Sequence, residues 1–195
     1  MLPVQRQPEV TDDDVTAWAL GAASGDADAF GHVFRALHRD VRRYVTALAD
    51  DSQLADDLVQ ETFLRAITSV HHFQGRGSAR SWLLTIARRT VVDSLRRAAS
   101  RPRLADTSDW QYAAERSQPR GLPGFDEGVA LMALVDSLPD DRREAFVLTQ
   151  LLDMPYDDAA RTNACPVGTI RSRVSRARTT LCALLEEGAE PVPAR

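Results

Sequence analysis

Lysine is absent from this chain: all 24 cationic side chains are arginine. That bias reflects a GC-rich coding sequence rather than any chemistry. Cysteine and histidine are scarce, at two and four residues, and their spacing matches no metal-ligand pattern. Cys165 beside a turn and Cys182 near the end of the last helix read as small apolar side chains. No apolar run approaches the roughly 20 residues of a membrane span, and the N-terminal MLPVQRQPEVTDDD has no apolar core of a signal peptide. These absences point to a cytosolic protein with no membrane contact, no metal and no cofactor. Runs of period two are missing as well, so the chain reads as all-α.

What is present is a helical pattern in two lobes. Residues 1–13 read as a disordered N-terminus, with a first helix beginning near Asp12–Asp14. Further helices are expected over residues 26–49, 54–70 and 79–98, completing a lobe over 14–99. Residues 100–125 carry four Arg, three Pro, two Gly and three Ser with no sustained apolar stripe, which is the composition of a linker. Helices resume over 126–137, 139–152, 156–163 and 167–187, giving a second lobe over 126–187. Residues 188–195 read as a frayed tail with no regulatory extension.

The stretch Pro155–Leu181, PYDDAARTNACPVGTIRSRVSRARTTL, carries the sharpest signal. Residues 161–178 hold five Arg and no acid, inside a chain of net charge −4. A local field opposite to the global one marks a surface aimed at a polyanion. At 100° per residue, Ile170, Val174, Ala177 and Leu181 form a narrow buried stripe. The opposite side then carries Ser172, Ser175, Arg176 and Thr179, with Thr169 and Arg171 at its edges. Arg173 and Arg178 sit on the flanks, placed for phosphates rather than bases. Arginine reads guanine edges bidentately and Ser or Thr serves any base, so this is a major-groove face. Asp157 and Asp158 suit the positive end of the preceding helix, and Ala159 and Ala160 permit close approach of two helices. Pro166 ends one helix and pre-sets the next.

Two features mark the first lobe. Asp50–Glu61, DDSQLADDLVQE, has five carboxylates and no cation, with Asp56, Asp57, Gln60 and Glu61 grouped on one polar side. The plain reading is a solvated acidic face; a divalent-metal site lacks an accompanying His or phosphate-binding loop. Arg76–Arg103 holds eight Arg against the single acid Asp93. Phe73 and Trp82 are interleaved with them, and a cationic groove with stacking aromatics is what single-stranded nucleic acid needs. Taken singly, Trp82 serves equally as a core anchor.

The order of these motifs resembles a bacterial RNA polymerase sigma factor of the extracytoplasmic-function type, the minimal form with only the second and fourth sigma domains, and most resembles actinobacterial members. DDLVQETFLRAI (Asp56–Ile67) is similar to the family's polymerase-binding segment. FQGRGSARSWLLTIARRTVVDSLRR (Phe73–Arg97) is similar to the segments that melt and read the −10 element. LPDDRREAFVLTQLLDMPYDDAARTNACPVGTIRSRVSRAR (Leu138–Arg178) is similar to the −35-binding domain. The resemblance implies that Asp56, Asp57, Gln60 and Glu61 face the β′ clamp helices of core RNA polymerase. It places Phe73, Arg80, Ser81, Trp82, Arg88, Arg89 and Arg96 in the −10 region, where an extruded non-template base enters a pocket. Which residues choose that base stays open. The linker is expected to thread the polymerase channels as an extended chain, and the β subunit and an anti-sigma factor are expected partners. An acidic chain binds DNA weakly alone and well only when the holoenzyme aligns both basic faces. The expected function is promoter-specific initiation, without catalytic residues. The competing reading is a conventional helix-turn-helix regulator, which commonly binds palindromes as a dimer; no dedicated dimer helix is visible here. A nucleic-acid-processing enzyme using Asp56, Asp57 and Glu61 is a more distant third.

Overall fold

The computed structural model describes residues 10–49, 52–100 and 132–188. All regular structure among them is helical. The linker expected over 100–125 lies outside the described residues apart from Ser100, as do the first nine residues and the tail from 189.

Helix α1 spans Asp12–Ala23 and starts with a reciprocal cap. The Asp14 amide donates to Thr11 Oγ1 at 3.2 Å, and the Thr11 amide donates to Asp14 Oδ2 at 3.0 Å. Those hydrogen bonds hold the exposed Asp14 carboxyl below its ordinary range. Asp12 and Asp13 therefore belong to a helix rather than to a disordered N-terminus. Helix α2 (Ala29–Leu48) buries Val33, Leu37, Val41, Tyr44 and Val45, a spacing of three and four that puts one face inward. Helices α3 (Ser52–Ser69) and α4 (Ala79–Ser100) close a four-helix lobe, linked by a short 3₁₀ turn at Val70–His72 and a loop over 73–78. In that loop Gly75 sits at φ +64°, and a Cβ there would lie 3.3 Å from Leu20 of α1.

In the second lobe a helical stretch over 132–136 precedes α5 (Asp140–Phe146), which widens into a π-helix at Val147–Leu151. The amide of Leu152 donates to the Val147 carbonyl five residues back, at 3.0 Å. Helices α6 (Tyr156–Thr162) and α7 (Val167–Gly188) follow, joined by a turn over 163–166. Ala164 takes φ +50° in that turn, a left-handed conformation costly for a residue with a Cβ.

The two lobes touch. Helix α2 packs on α5 and the π-helix, and α4 packs on α6, so their buried side chains form one continuous cluster. At its centre Glu144 of α5, 8% exposed, accepts hydrogen bonds from the Tyr44 hydroxyl and from Arg88 Nε, each at 2.6 Å. With its nitrogen turned toward Glu144, the buried Asn163 amide donates to both carboxylate oxygens at 2.8 Å.

Candidate nucleic-acid and polymerase interfaces

The helix-turn-helix is built as the residue pattern requires. Ile170, Val174, Ala177 and Leu181 of α7 are buried, and Ala159 and Ala160 of α6 are buried against them. Arg171, Ser172, Ser175, Arg176 and Thr179 are exposed on the other side, with Thr169 half-buried at its edge. The two flanking arginines are tied down. Arg173 pairs with Asp141 at 3.1 Å, and Arg178 donates to the side-chain oxygen of Gln150. Helix α7 therefore presents a rigid polar face whose bordering guanidiniums are pre-positioned.

The residues expected at −10 divide into three groups. Phe73 and Ser81 are buried, and the Phe73 ring lies 5.2 Å from that of the half-buried Trp82. They line a cavity of about 320 Å³ between the loop over 73–78 and the start of α4, with Arg76 and Arg161 also on its wall. Ser78 caps α4 by accepting from the Ser81 amide at 3.1 Å. Arg89 and Arg96 are exposed on α4. Arg80 and Arg88 are occupied instead: Arg80 pairs with Asp40 and donates to the Leu152 carbonyl at 3.0 Å, while Arg88 pairs with Glu144. Burial lowers the affinity of Arg88 for its proton, but the hydrogen bond and charge of Glu144 outweigh this and raise its pKa.

On α3, Asp56, Asp57 and Gln60 are exposed and Glu61 is half-buried. Two of the carboxylates have internal partners, one on another helix and one a turn further along α3. Arg42 of α2 lies 3.3 Å from Asp56, and Arg65 bridges Glu61 at 2.7 Å and Asp93 at 3.0 Å. The hydrogen bond Arg65 donates to Glu61, then that to Asp93, raises the Arg65 pKa. Beside this face runs an apolar groove of about 650 Å³ lined by Phe30, Phe34, Val59, Phe63, Leu64 and Ile67, with Asp56 and Gln60 on its lining. Leu64 and Ile67 are more than half exposed. Sequence reasoning missed the groove. The signal was there, since Leu64 and Ile67 follow Gln60 at four and seven residues on the same helical side. Among the described residues no cluster of His, Cys, Asp or Glu is arranged to hold a metal.

Comparison with known proteins assigns this architecture. The family model for sigma-70 region 2 matches residues 33–101, and that for sigma-70 region 4 matches residues 128–181. The ECF RNA polymerase sigma factor SigC of Mycobacterium tuberculosis (strain CDC 1551 / Oshkosh) is 46% identical over 172 residues, covering 88% of this chain and 91% of the relative. The chain belongs to the ECF RNA polymerase sigma factors. A second relative, the sigma factor EcfG of Rhodopseudomonas palustris, is 39% identical over 77% of this chain and 82% of its own length. Among solved structures, this sigma factor superposes with a TM-score of 0.67 on CnrH in complex with the cytosolic domain of CnrY. That match is 26% identical and covers 90% of this chain and 99% of the other. It also superposes at 0.67 on the sigma factor RpoE of Bartonella quintana in complex with the anti-sigma factor NepR, at 25% identity, covering 85% and 100% of the two chains. As a sigma factor it is a promoter-specific transcription initiation factor, which disfavours the conventional regulator. Among the described residues no helix is long and apolar enough to cross a membrane.

Proposed function

We propose that this sigma factor divides its work among three surfaces. The exposed Asp56, Asp57 and Gln60, with Glu61 and the adjoining apolar groove, dock the chain on the β′ clamp helices of core RNA polymerase. The face of α7 bearing Arg171, Ser172, Ser175, Arg176 and Thr179 reads duplex DNA at −35. The cavity beside Phe73 and Trp82 takes an extruded −10 base, with the arginines of α4 along the strand. The chain itself catalyses nothing; the polymerase makes RNA, and both act in the cytoplasm. An anti-sigma factor is a further partner, a reading supported by the structural neighbour RpoE, solved in complex with the anti-sigma factor NepR.

The observation that carries the reading is α7. It lies across the turn from the helix that carries Ala159 and Ala160, hides an apolar stripe and exposes guanidiniums and hydroxyls, the donor set of major-groove readout. Trp82 supplies the test of the −10 assignment. Base–aromatic stacking contributes about 1–3 kcal/mol per base and acts only once bases leave the duplex. Trp82→Ala is expected to reduce permanganate reactivity of the melted region while leaving holoenzyme binding to closed promoter DNA near wild type. Equal loss of both steps, with a lower melting temperature, would show instead that Trp82 serves only the core.

A further inference from the structure

We propose that Thr149 and Gln150 of the π-helix are positioning residues for −35 DNA, aiming the Arg178 guanidinium at a backbone phosphate while leaving its charge uncancelled. The proposal rests on the −35 reading of α7 and gives a task to two side chains on a different element. The Arg178 guanidinium donates to Gln150 Oε1. The Gln150 amide nitrogen donates in turn to Thr149 Oγ1 at 2.9 Å, and the Thr149 hydroxyl donates to the Ala145 carbonyl at 2.8 Å. The direction of this chain is set at its buried end, where Thr149 is 7% exposed. A hydroxyl has one proton, and that of Thr149 goes to the backbone, so toward Gln150 it can only accept. Gln150 therefore turns its nitrogen to Thr149 and its oxygen to α7.

The π-helix makes the chain possible. Side chains adjacent in sequence do not face each other on an α-helix, yet Thr149 and Gln150 meet within Val147–Leu151, where the hydrogen-bond register has shifted. The chemistry of the acceptor matters as much as its place. Arg173, on the other flank, faces the Asp141 carboxylate at 3.1 Å, an ion pair with no net charge to offer. Gln150 is neutral, so Arg178 keeps its full charge, and a guanidinium with one of its five donors engaged retains four for phosphate oxygens. Arg178 is exposed and lines a groove with Arg171, Ser175 and Thr179. A fixed cation thus borders the base-reading face, the position of a backbone contact that sets register. Holding its direction before DNA arrives removes part of the ordering cost of binding.

The test titrates the full chain with a fluorescein-labelled duplex of mixed sequence, because a phosphate contact carries no sequence information. Anisotropy is followed from about 50 to 200 mM salt, where each phosphate contact contributes about 0.9 to the slope of log affinity against log salt. Arg178→Ala should lower that slope by about 0.9. Gln150→Glu keeps Arg178 but cancels its charge, and should lower the slope as Arg178→Ala does. Thr149→Val removes the hydroxyl at nearly the same shape and frees the amide to turn; binding should weaken about threefold at an unchanged slope. In an Arg178→Ala background, Thr149→Val should cost nothing further. Circular dichroism confirms that each variant is folded. A Gln150→Glu chain with the wild-type slope, or additive losses in the double variant, would mean that both residues serve only the fold, and overturns the proposal. If Arg176→Ala weakens binding but Arg178→Ala does not, the proposal fails and the −35 reading stands. If neither arginine matters, the −35 reading fails with it.

Discussion

Tyr44→Phe isolates the hydrogen bond at the centre of the interlobe contact. Tyr44 is fully buried, and its hydroxyl donates to Glu144 at 2.6 Å. Phenylalanine keeps the ring, so no cavity opens and the packing of α2 is retained. What is lost is one hydrogen bond to a charged acceptor, worth about 1.5–3 kcal/mol. The carboxylate is not stranded, because Arg88 at 2.6 Å and Asn163 at 2.8 Å still meet it, which argues for the middle of that range. A loss of about 2 kcal/mol moves a urea midpoint by roughly 1 M at a typical slope of about 2 kcal/mol/M. The same residue sets an alkaline signature. Burial first, then the charge of Glu144 and the hydrogen bond to it, push the Tyr44 pKa well above its ordinary value. The folded chain thus holds this proton more tightly than the unfolded chain. The resulting stability is fully present below the unfolded value of about 10 and is lost as pH climbs toward the folded value. Urea denaturation against pH should therefore show a wild-type decline above about pH 10 that Tyr44→Phe lessens. A variant within about 0.5 kcal/mol of wild type at neutral pH, with the same alkaline slope, would refute the reasoning.

Arg176→Ala should weaken −35 recognition by about 1–3 kcal/mol in a base-dependent way. Arg178→Ala, whose guanidinium is anchored to Gln150, should weaken binding evenly across sequences and reduce its salt dependence; promoter profiling separates the two. Reversing charge at Asp57 and Glu61 should abolish association with core polymerase in a pull-down; the exposed Asp57 reversal alone should change stability little, whereas a cation at 61 meets Arg65. Ala164→Gly should raise the thermal midpoint. Relief of about 1–2 kcal/mol of left-handed strain exceeds the roughly 0.4–1 kcal/mol of added unfolded-chain entropy.

The helix-turn-helix was legible because its information is local. Spacing at 100° per residue separates Ile170, Val174 and Ala177 from Ser172, Ser175 and Arg176 without reference to any other element. The α3 carboxylates were equally visible, but Arg42, which pairs with Asp56, and Asp93, which shares Arg65 with Glu61, lie on other helices. The contact between lobes left no trace in periodicity, since Tyr44 and Glu144 are 100 residues apart and each reads as an ordinary member of its own helix. The π-helix at Val147–Leu151 falls inside the helix expected over 139–152, and nothing in VLTQL, which has neither Gly nor Pro, marks the change of hydrogen-bond register. Ala164 carried no turn signal either, since its left-handed backbone is imposed by the close packing of α6 on α7 and not by its own preference.

Run-off transcription with purified core RNA polymerase on a promoter library tests the central claim most directly. The account predicts that adding this chain yields transcripts from a defined subset of promoters sharing −10 and −35 sequences, and that core polymerase alone yields none of them. A chain that binds duplex DNA yet neither associates with core polymerase nor starts any transcript would contradict it.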